Sequence, residues 1–333
     1  MRILLALLIL LPMLIGGRYA VKELKRPPRA ENGPMEIAAR PLVLDSSRPE
    51  RTQLGSLHFL GAWDLTGPDN SFGGLSAMSI LPDGRIQALN DTATMFTFPS
   101  PGERGAGTVK RLPILKHRTR GWLPGSTDSE SMAVDPATGT IWVGFELSQM
   151  ICRYPADLSR AEACRTWPEM KDWTDTSSIE SLARLPDGRF LVIAEGAHGD
   201  GKGRDMLLFA DDPSDKKALP PILMHYMPPV GYDPTDAVAI GGNRLLVLNR
   251  RATVYDGFTA VITLVDIGAM KPGAVLPGKE VARLAPPVLA DNFEAMTVQR
   301  RPDGQTVLWV LSDNNHLFFQ RTLLLKFALP DQF

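Results

Sequence analysis

Residues 291–313 read DNFEAMTVQRRPDGQTVLWVLSD, and the plan of this stretch occurs five times in the chain. An acidic or small residue opens a short apolar strand, a tight turn follows, and a second apolar strand ends on a polar or charged residue. Apolar runs on both sides of such a turn predict a β-hairpin. The other four copies are NSFGGLSAMSILPDGRIQALND (residues 70–91), DSESMAVDPATGTIWVGFE (128–146), SIESLARLPDGRFLVIAE (178–195) and PTDAVAIGGNRLLVLNRR (234–251).

The copies recur at a period of 50 to 58 residues, measured between Gly74, Glu130, Glu180, Asp236 and Glu294. A period of about 40 to 50 residues built from short strands is typical of propeller blades. The residues between the hairpins supply two further strands per blade, but only residues 322–329 follow the last hairpin. Residues 56–65 alternate like a strand and would complete that blade.

This count predicts an all-β chain that folds as a single β-propeller with five four-stranded blades, closed by the N-terminal strand. Closure removes the open sheet edge that a linear array of blades would expose. Six blades are the alternative architecture.

The first 50 residues differ from the rest of the chain. Residues 1–17 contain one Arg followed by ILLALLILLPMLIGG, which is shorter than the roughly 20 apolar residues that span a bilayer. This run predicts a signal peptide or a short anchor. Residues 18–50 have the composition of a basic, Pro-containing linker, and residues 51–333 form the predicted propeller. We expect a periplasmic or secreted protein, which could remain tethered to the membrane through its N-terminal segment.

The composition fits a single large all-β domain that does not bind nucleic acid. The 29 Gly and 28 Pro are the turn residues that many short strands require. The formal net charge is −1, so no global field attracts nucleic acid, and there is no run of Lys and Arg to do so locally. We expect a monomer.

The chain has two cysteines, Cys152 and Cys164. They fall on the third and fourth strands of the second blade, about equally far from Leu158, so a hairpin would place them opposite one another. In an exported protein this arrangement predicts a cross-strand disulfide, whereas in the cytosol the two residues would be buried thiols.

Polar residues at the start of the first strand and the end of the second strand lie at the same end of each hairpin. Because the first strands of all blades surround the central channel of a propeller, we expect these residues to meet at one mouth of the channel. Arg250, and with it Arg251, would interrupt the acidic set. The predicted carboxylates are Asp91, Glu130, Glu146, Glu180, Glu195, Asp236, Glu294 and Asp313.

So many like charges predict a bound cation, because partial burial of carboxylates is unfavourable unless a cation offsets them. Oxygen ligands favour Ca²⁺, with Mg²⁺ second. Zinc is disfavoured because the histidines are scattered, although His316 follows the last hairpin into the same mouth. The structural alternative is that such carboxylates accept backbone N–H groups at the start of a strand.

Six stretches of the chain resemble the phytase-like propeller family of exported bacterial proteins, described as having esterase-like activity of phytase. The resemblance extends over essentially all residues after 50, and it implies a secreted or periplasmic propeller that hydrolyses phosphoesters, by association with calcium-dependent phytases. The stretches are FGGLS (72–76), DSESMAV (128–134), IESLARLPDG (179–188), DPTDA (233–237), DNFEAM (291–296) and SDNNHLFFQRTLLLKF (312–327).

These observations lead to the hypothesis of an exported, metal-dependent phosphoester hydrolase that acts on a small anionic substrate. Glu146 or Glu195 would act as the base, and Arg250 or Arg321 would hold substrate oxygens. A lactonase-like or carboxylester hydrolase on the same mouth is one alternative, and a non-catalytic binding propeller is another. The predicted metal ligands are Asp91, Glu130, Glu180, Asp236, Glu294 and Asp313.

Overall fold

The computed structural model describes residues 30–113, 128–174, 178–197 and 201–330. These residues form five sheets arranged as a five-bladed β-propeller, with two single-turn 3₁₀ helices at Pro168–Met170 and Ile267–Ala269. The predicted all-β class and five blades are confirmed, and the six-bladed alternative is wrong. None of the helices in this part of the chain is long and apolar enough to cross a membrane.

The strands follow one another along the chain as the repeat predicts. Four strands precede the first hairpin: β1 (Gly33–Met35), β2 (Ala38–Leu42), β3 (Gln53–Leu54) and β4 (Leu57–Thr66). The first blade has β5 (Leu75–Ile80), β6 (Ile86–Asn90), β7 (Thr94–Phe98) and β8 (Gly107–Arg111). The second blade has β9 (Ser129–Val134), β10 (Ile141–Phe145), β11 (Met150–Tyr154) and β12 (Ala163–Thr166).

The remaining three blades continue the pattern. The third has β13 (Ile179–Arg184), β14 (Phe190–Ala197), β15 (Arg204–Phe209) and β16 (Ile222–Met227). The fourth has β17 (Asp233–Gly241), β18 (Arg244–Thr253), β19 (Gly257–Asp266) and β21 (Lys279–Leu284), while the intervening β20 (Val275–Pro277) pairs in parallel with β16 of the third blade. The fifth has β22 (Phe293–Arg300), β23 (Thr306–Ser312) and β24 (Thr322–Ala328).

The five innermost strands form a closed ring around the channel. β5, β9, β13, β17 and β22 each contact the next, and β22 contacts β5. Hydroxyl groups connect neighbouring blades within this ring: Ser129 Oγ donates to the Asn90 carbonyl at 2.6 Å, and Ser131 Oγ donates to the Ile179 carbonyl at 2.8 Å. The first residues of all five hairpins are therefore held at one end of the channel.

The N-terminal strand closes the propeller in the predicted manner. β4 pairs antiparallel with β24, with Leu65 opposite Thr322 and His58 opposite Ala328. It thus becomes the fourth strand of the fifth blade, and β2 adds a further strand outside it.

The predicted linker of residues 18–50 contains part of the fold. β1 pairs with β8 at the outer edge of the first blade, and β2 pairs with β4, so strands of the propeller begin well before residue 51. Residues 1–29 lie outside the described residues, and so does the predicted signal peptide or anchor.

Apolar side chains fill the gaps between blades, with one cluster for each pair of neighbouring sheets. Trp142 of the second blade packs edge-to-face on Phe190 of the third at 4.8 Å between ring centroids. In the second blade, Cys152 and Cys164 lie opposite each other on β11 and β12 and form a disulfide, which confirms the predicted bridge.

Candidate functional site

The start and the end of each hairpin meet at one end of the channel, which we call the mouth. The Asp91 N–H donates to the Gly74 carbonyl at 2.9 Å, and the Glu146 N–H donates to the Asp128 carbonyl at 2.7 Å. In the fifth blade the Asp313 N–H donates to the Asn292 carbonyl at 2.8 Å. These bonds place the predicted residues of each hairpin side by side. Five of the eight predicted carboxylates are buried, namely Glu146, Glu180, Glu195, Asp236 and Asp313.

Arg250, on the fourth blade, joins carboxylates from the third and fifth blades. Its Nη2 donates to Glu195 Oε1 of the third blade at 2.6 Å, and its Nη1 donates to Glu294 Oε1 of the fifth blade and to Asn292 Oδ1 at 2.9 Å. Burial acts to lower the pKa of Arg250, but Glu294, Glu195 and Glu180 outweigh burial and raise it above the usual arginine value. The guanidinium is thus committed to neutralising this side of the mouth rather than open to a substrate.

Asp236 connects the fourth and fifth blades through backbone hydrogen bonds. Its Oδ1 accepts from the Ala237 N–H and its Oδ2 from the Met296 N–H, both at 2.7 Å. Burial raises the pKa of this carboxyl well above its ordinary value, the two backbone donors oppose that shift, and Glu294 adds to it. Because both oxygens accept from the backbone, Asp236 fits the structural alternative better than the predicted role of metal ligand.

A second group of carboxylates lies at the open end of the second hairpin. Oxygens of Asp128, Glu130 and Glu146 all lie within 4.8 Å of one another. We call these three residues the acidic trio. Glu146 is its most buried member, with 4% of the residue exposed. Asp128 was not among the predicted ligands. The available signal was its spacing, because Asp128 and Glu130 are two residues apart, and alternate residues of an extended strand point to the same side.

In the first blade, Gly74 occupies the position that is acidic in the other four blades. The His316 side chain lies in the space that a side chain at position 74 would fill. A Cβ atom on Gly74 would lie 2.9 Å from Asp91 Oδ1 and 3.0 Å from His316 Nε2. Asn314 positions the loop, since its Oδ1 accepts from the N–H groups of Gly74 and His316. Burial lowers the pKa of His316, and the Asn70 backbone, which accepts from the ring, partly offsets that shift.

The other predicted residues are placed as follows. Asp313 is buried and its Oδ1 accepts from the Asn315 N–H at 2.7 Å. The Arg321 side chain is 41% exposed, and its ion pair is with Asp291 at 3.7 Å rather than with the predicted carboxylates. Arg251 pairs with Asp256 at 3.0 Å and lies over the Tyr232 ring, so it does not join Arg250 in the mouth.

The carboxylates of the mouth therefore fall into two groups. Arg250 offsets Glu180, Glu195 and Glu294 of the third and fifth blades, and the acidic trio of the second blade has three carboxylates within bonding range of one cation. The trio adjoins the first blade, because the Ser129 N–H donates to the Asp91 carbonyl at 3.2 Å. Close carboxylate oxygens suit a hard divalent cation.

The chain is similar to one described family and, more distantly, to several solved structures. The sequence profile of a family described as phytase-like, with esterase-like activity of phytase, matches residues 70–316. No curated protein matches the chain. Similar solved structures include hydrazine synthase of Kuenenia stuttgartiensis, with 14% identity and a TM-score of 0.37 over 74% of this chain and 58% of that one. An oxidoreductase described as glucose dehydrogenase from Thermus thermophilus is also similar, with 14% identity and a TM-score of 0.43 over 76% of this chain and 97% of that one.

Proposed function

The chain belongs to the phytase-like family, and we propose that it hydrolyses a phosphoester of a small anionic substrate with a divalent cation held by the acidic trio. The single observation that supports this proposal is the convergence of three carboxylates, from Asp128, Glu130 and Glu146, on one point of the mouth. Ca²⁺ is the first choice and Mg²⁺ the second, because both prefer oxygen ligands.

The ligand set differs from the predicted one. Glu130 remains in it, and Asp128 and Glu146 join it. Glu180 and Glu294 act through Arg250, and Asp236 accepts backbone hydrogen bonds. A bound cation would attract substrate oxygens and acidify a water molecule.

We propose His316 as the group that accepts a proton. Its Nε2 is buried without a hydrogen-bond partner among the described residues, and it faces the space beside Gly74 and Asp91. Because burial lowers the pKa of His316, the imidazole stays neutral at neutral pH and can act as a base. Arg321, half-exposed in the loop that contains His316, is available to hold an anionic group of the substrate.

The proposal extends to the cellular location. A disulfide between Cys152 and Cys164 is characteristic of oxidising compartments, and the N-terminal run of residues 3–17 has the composition of an export signal. Together they support a periplasmic or secreted protein, and we take it to be a monomer.

The test combines metal binding with turnover. The chain is stripped with EDTA, titrated with Ca²⁺ by calorimetry, and assayed with p-nitrophenyl phosphate and p-nitrophenyl acetate with and without the ion. We expect one tight Ca²⁺ site and Ca²⁺-dependent release of nitrophenol from the phosphate. Release from the acetate alone would identify a carboxylester hydrolase, and binding without turnover would identify a binding propeller.

Glu146→Gln tests the ligand assignment. Removing one charge from the trio should weaken Ca²⁺ binding at least about tenfold, because ligand charge sets affinity in such sites. Glu103→Gln changes an exposed carboxylate in a turn at the opposite end of the first blade and serves as the matched control. Equal affinities for the two variants would show that the trio does not hold the ion.

A further inference from the structure

The two ends of the propeller differ in their exposed apolar side chains. Val230 is 97% exposed, Tyr255 is 97% exposed and Phe318 is 99% exposed, and Phe319 is exposed beside Phe318. All four lie in loops on the mouth side: Val230 before β17, Tyr255 between β18 and β19, and both phenylalanines between β23 and β24. At the opposite end, the turns of the five hairpins present no exposed large apolar side chain, and the exposed ones outside those turns include Leu219 at 68% and Ile222 at 40%, near the start of β16.

These loops form an arc over the fourth and fifth blades. Val230 precedes the first strand of the fourth blade, and Tyr255 lies in the turn between β18 and β19 of the same blade. Phe318 packs edge-to-face on Phe319 above the fifth blade, with 5.3 Å between the ring centroids. Fully exposed aromatic rings are costly in water but favourable at a membrane interface, where the ring leaves water and the hydroxyl of Tyr255 remains hydrated.

The chain that precedes the described residues joins the propeller on the same side. Ala30 packs in the apolar cluster that contains Leu65 and Phe72. Asn32 Oδ1 accepts from the Arg111 N–H at 2.8 Å, and Arg111 lies opposite Thr94, the first residue of β7. Thr94 in turn donates through its N–H to Asn90 beside Asp91 at the mouth. The described part of the chain therefore begins at Ala30 on the mouth side, between the first and fifth blades.

The sequence of those residues identifies the surface that covers the arc. Residues 3–17 are an apolar run, and Lys22, Lys25, Arg26 and Arg29 follow it. An apolar segment followed by basic residues favours a lipid surface, where the cations approach lipid phosphates. The carboxylates of the mouth do not oppose such contact, because most of them are recessed and Arg250 offsets three of them.

We propose that the mouth face of the propeller rests on a lipid bilayer, with Val230, Tyr255, Phe318 and Phe319 in the headgroup region beside the point where residues 1–29 join the fold. The bilayer covers the arc, and the channel opens toward the membrane surface rather than toward bulk solvent. This orientation does not depend on the cation or on catalysis.

The test uses the full chain in phosphatidylcholine vesicles, with and without phosphatidylglycerol. The chain has two cysteines, both in the disulfide, so Phe318→Cys introduces a single reactive thiol for an environment-sensitive fluorophore. The matched control is Asp303→Cys, in an exposed turn at the opposite end of the same blade. Both variants retain residues 1–29, so a difference between them reports on the propeller alone.

We expect the label at position 318 to shift its emission to the blue in vesicles and to lose most of its intensity when the lipids carry nitroxide quenchers. The label at position 303 should do neither. Adding Val230→Glu and Tyr255→Glu to the Phe318→Cys chain should return its label to water. Equal emission from positions 318 and 303 would overturn the proposal. A label at 318 that is shielded but not quenched by lipid nitroxides would also overturn it, because a protein would then cover this face.

Discussion

At the scale of single residues, Arg250 determines the charge of the mouth. It is 11% exposed and joins Glu195 and Glu294, which belong to different blades. Breaking a buried ion pair by removing one partner is far more costly than the net value of the pair, because it leaves an uncompensated charge in a site of low dielectric. Arg250 therefore stabilises the fold whether or not the mouth is catalytic.

Arg250→Leu should lower the free energy of unfolding by about 3–5 kcal/mol at neutral pH. Without the guanidinium, the two glutamates favour protonation in the folded state, so the folded variant binds more protons than the unfolded chain. Stability is then retained at low pH and lost as pH rises. Urea unfolding at about pH 5 and about pH 7.5 should show the larger loss at the higher pH. A loss that is equal at both would contradict the assigned ion pairs.

Gly74→Ala tests the space that His316 occupies. Gly74 has φ +64°, which disfavours any side chain, and a Cβ would approach Asp91 Oδ1 and His316 Nε2 to 2.9 and 3.0 Å. We expect a loss of about 1–2 kcal/mol in the free energy of unfolding, measured in urea, and displacement of the imidazole. Gly84→Ala, also at positive φ but with its nearest neighbour at 3.9 Å, is the control for backbone strain alone. A Gly74 variant no less stable than the Gly84 variant would mean that the space beside Gly74 is open.

The site was only partly predictable, for reasons that differ among the residues. The hairpin rule pairs residues within one blade, so it brought Asp91 beside Gly74 and Glu146 to the mouth. It could not predict that Arg250 reaches Glu195 and Glu294, because contacts between blades depend on how neighbouring sheets are inclined. The sequence also does not reveal that both oxygens of Asp236 accept backbone N–H groups.

At the scale of elements, the hairpins were predictable because the sequence of each hairpin contains both its turn and its two strands. Pro-Asp-Gly turns flanked by apolar strands need no information from elsewhere in the chain. β1, β2 and β20 were missed because they are short, largely exposed and contain prolines, and their pairing partners are distant in sequence. The closing role of β4 was found only because the count of strands left the fifth blade incomplete.

Ala62→Pro tests that closing role. Ala62 lies in β4 between Leu325 of β24 and Leu42 of β2. Because β4 is paired on both sides, the Ala62 N–H points toward one of these two strands. Removing this donor in a buried strand should cost about 2–4 kcal/mol. Ser46→Pro is the matched control, since Ser46 occupies the second position of the turn closed by the Arg48 N–H and the Asp45 carbonyl, where proline is favoured. Thermal unfolding should separate the two variants, and equal melting temperatures would argue against closure by β4.

At the scale of the whole molecule, the ring makes the blades interdependent. Each blade shares an apolar cluster with both neighbours, and no described blade has a free flank because β22 contacts β5. An open array can lose its terminal repeats one by one, whereas a closed ring offers no terminal repeat to lose.

We therefore expect a single cooperative unfolding transition. Tryptophan fluorescence reports on the second, third and fifth blades, through residues such as Trp142, Trp173 and Trp309, while far-ultraviolet circular dichroism reports on all five. The two signals should give the same urea midpoint. In the Ala62→Pro chain they should separate, because an opened ring can unfold from its free end. Two resolved transitions in the unmodified chain would show that the blades act independently.

The pairing of β4 with β24 also determines when the ring can close during synthesis. The ribosome makes Thr66 long before Thr322, and at 5–20 residues per second the interval is roughly 10 to 50 seconds. Throughout that time β4 exists without its partner strand β24. The unpaired edge of β4 can then form hydrogen bonds with a wrong strand, either of the same chain or of another chain. The ring thus closes only after β24 has emerged, and release of the chain before that point would leave the fifth blade incomplete and the ring open.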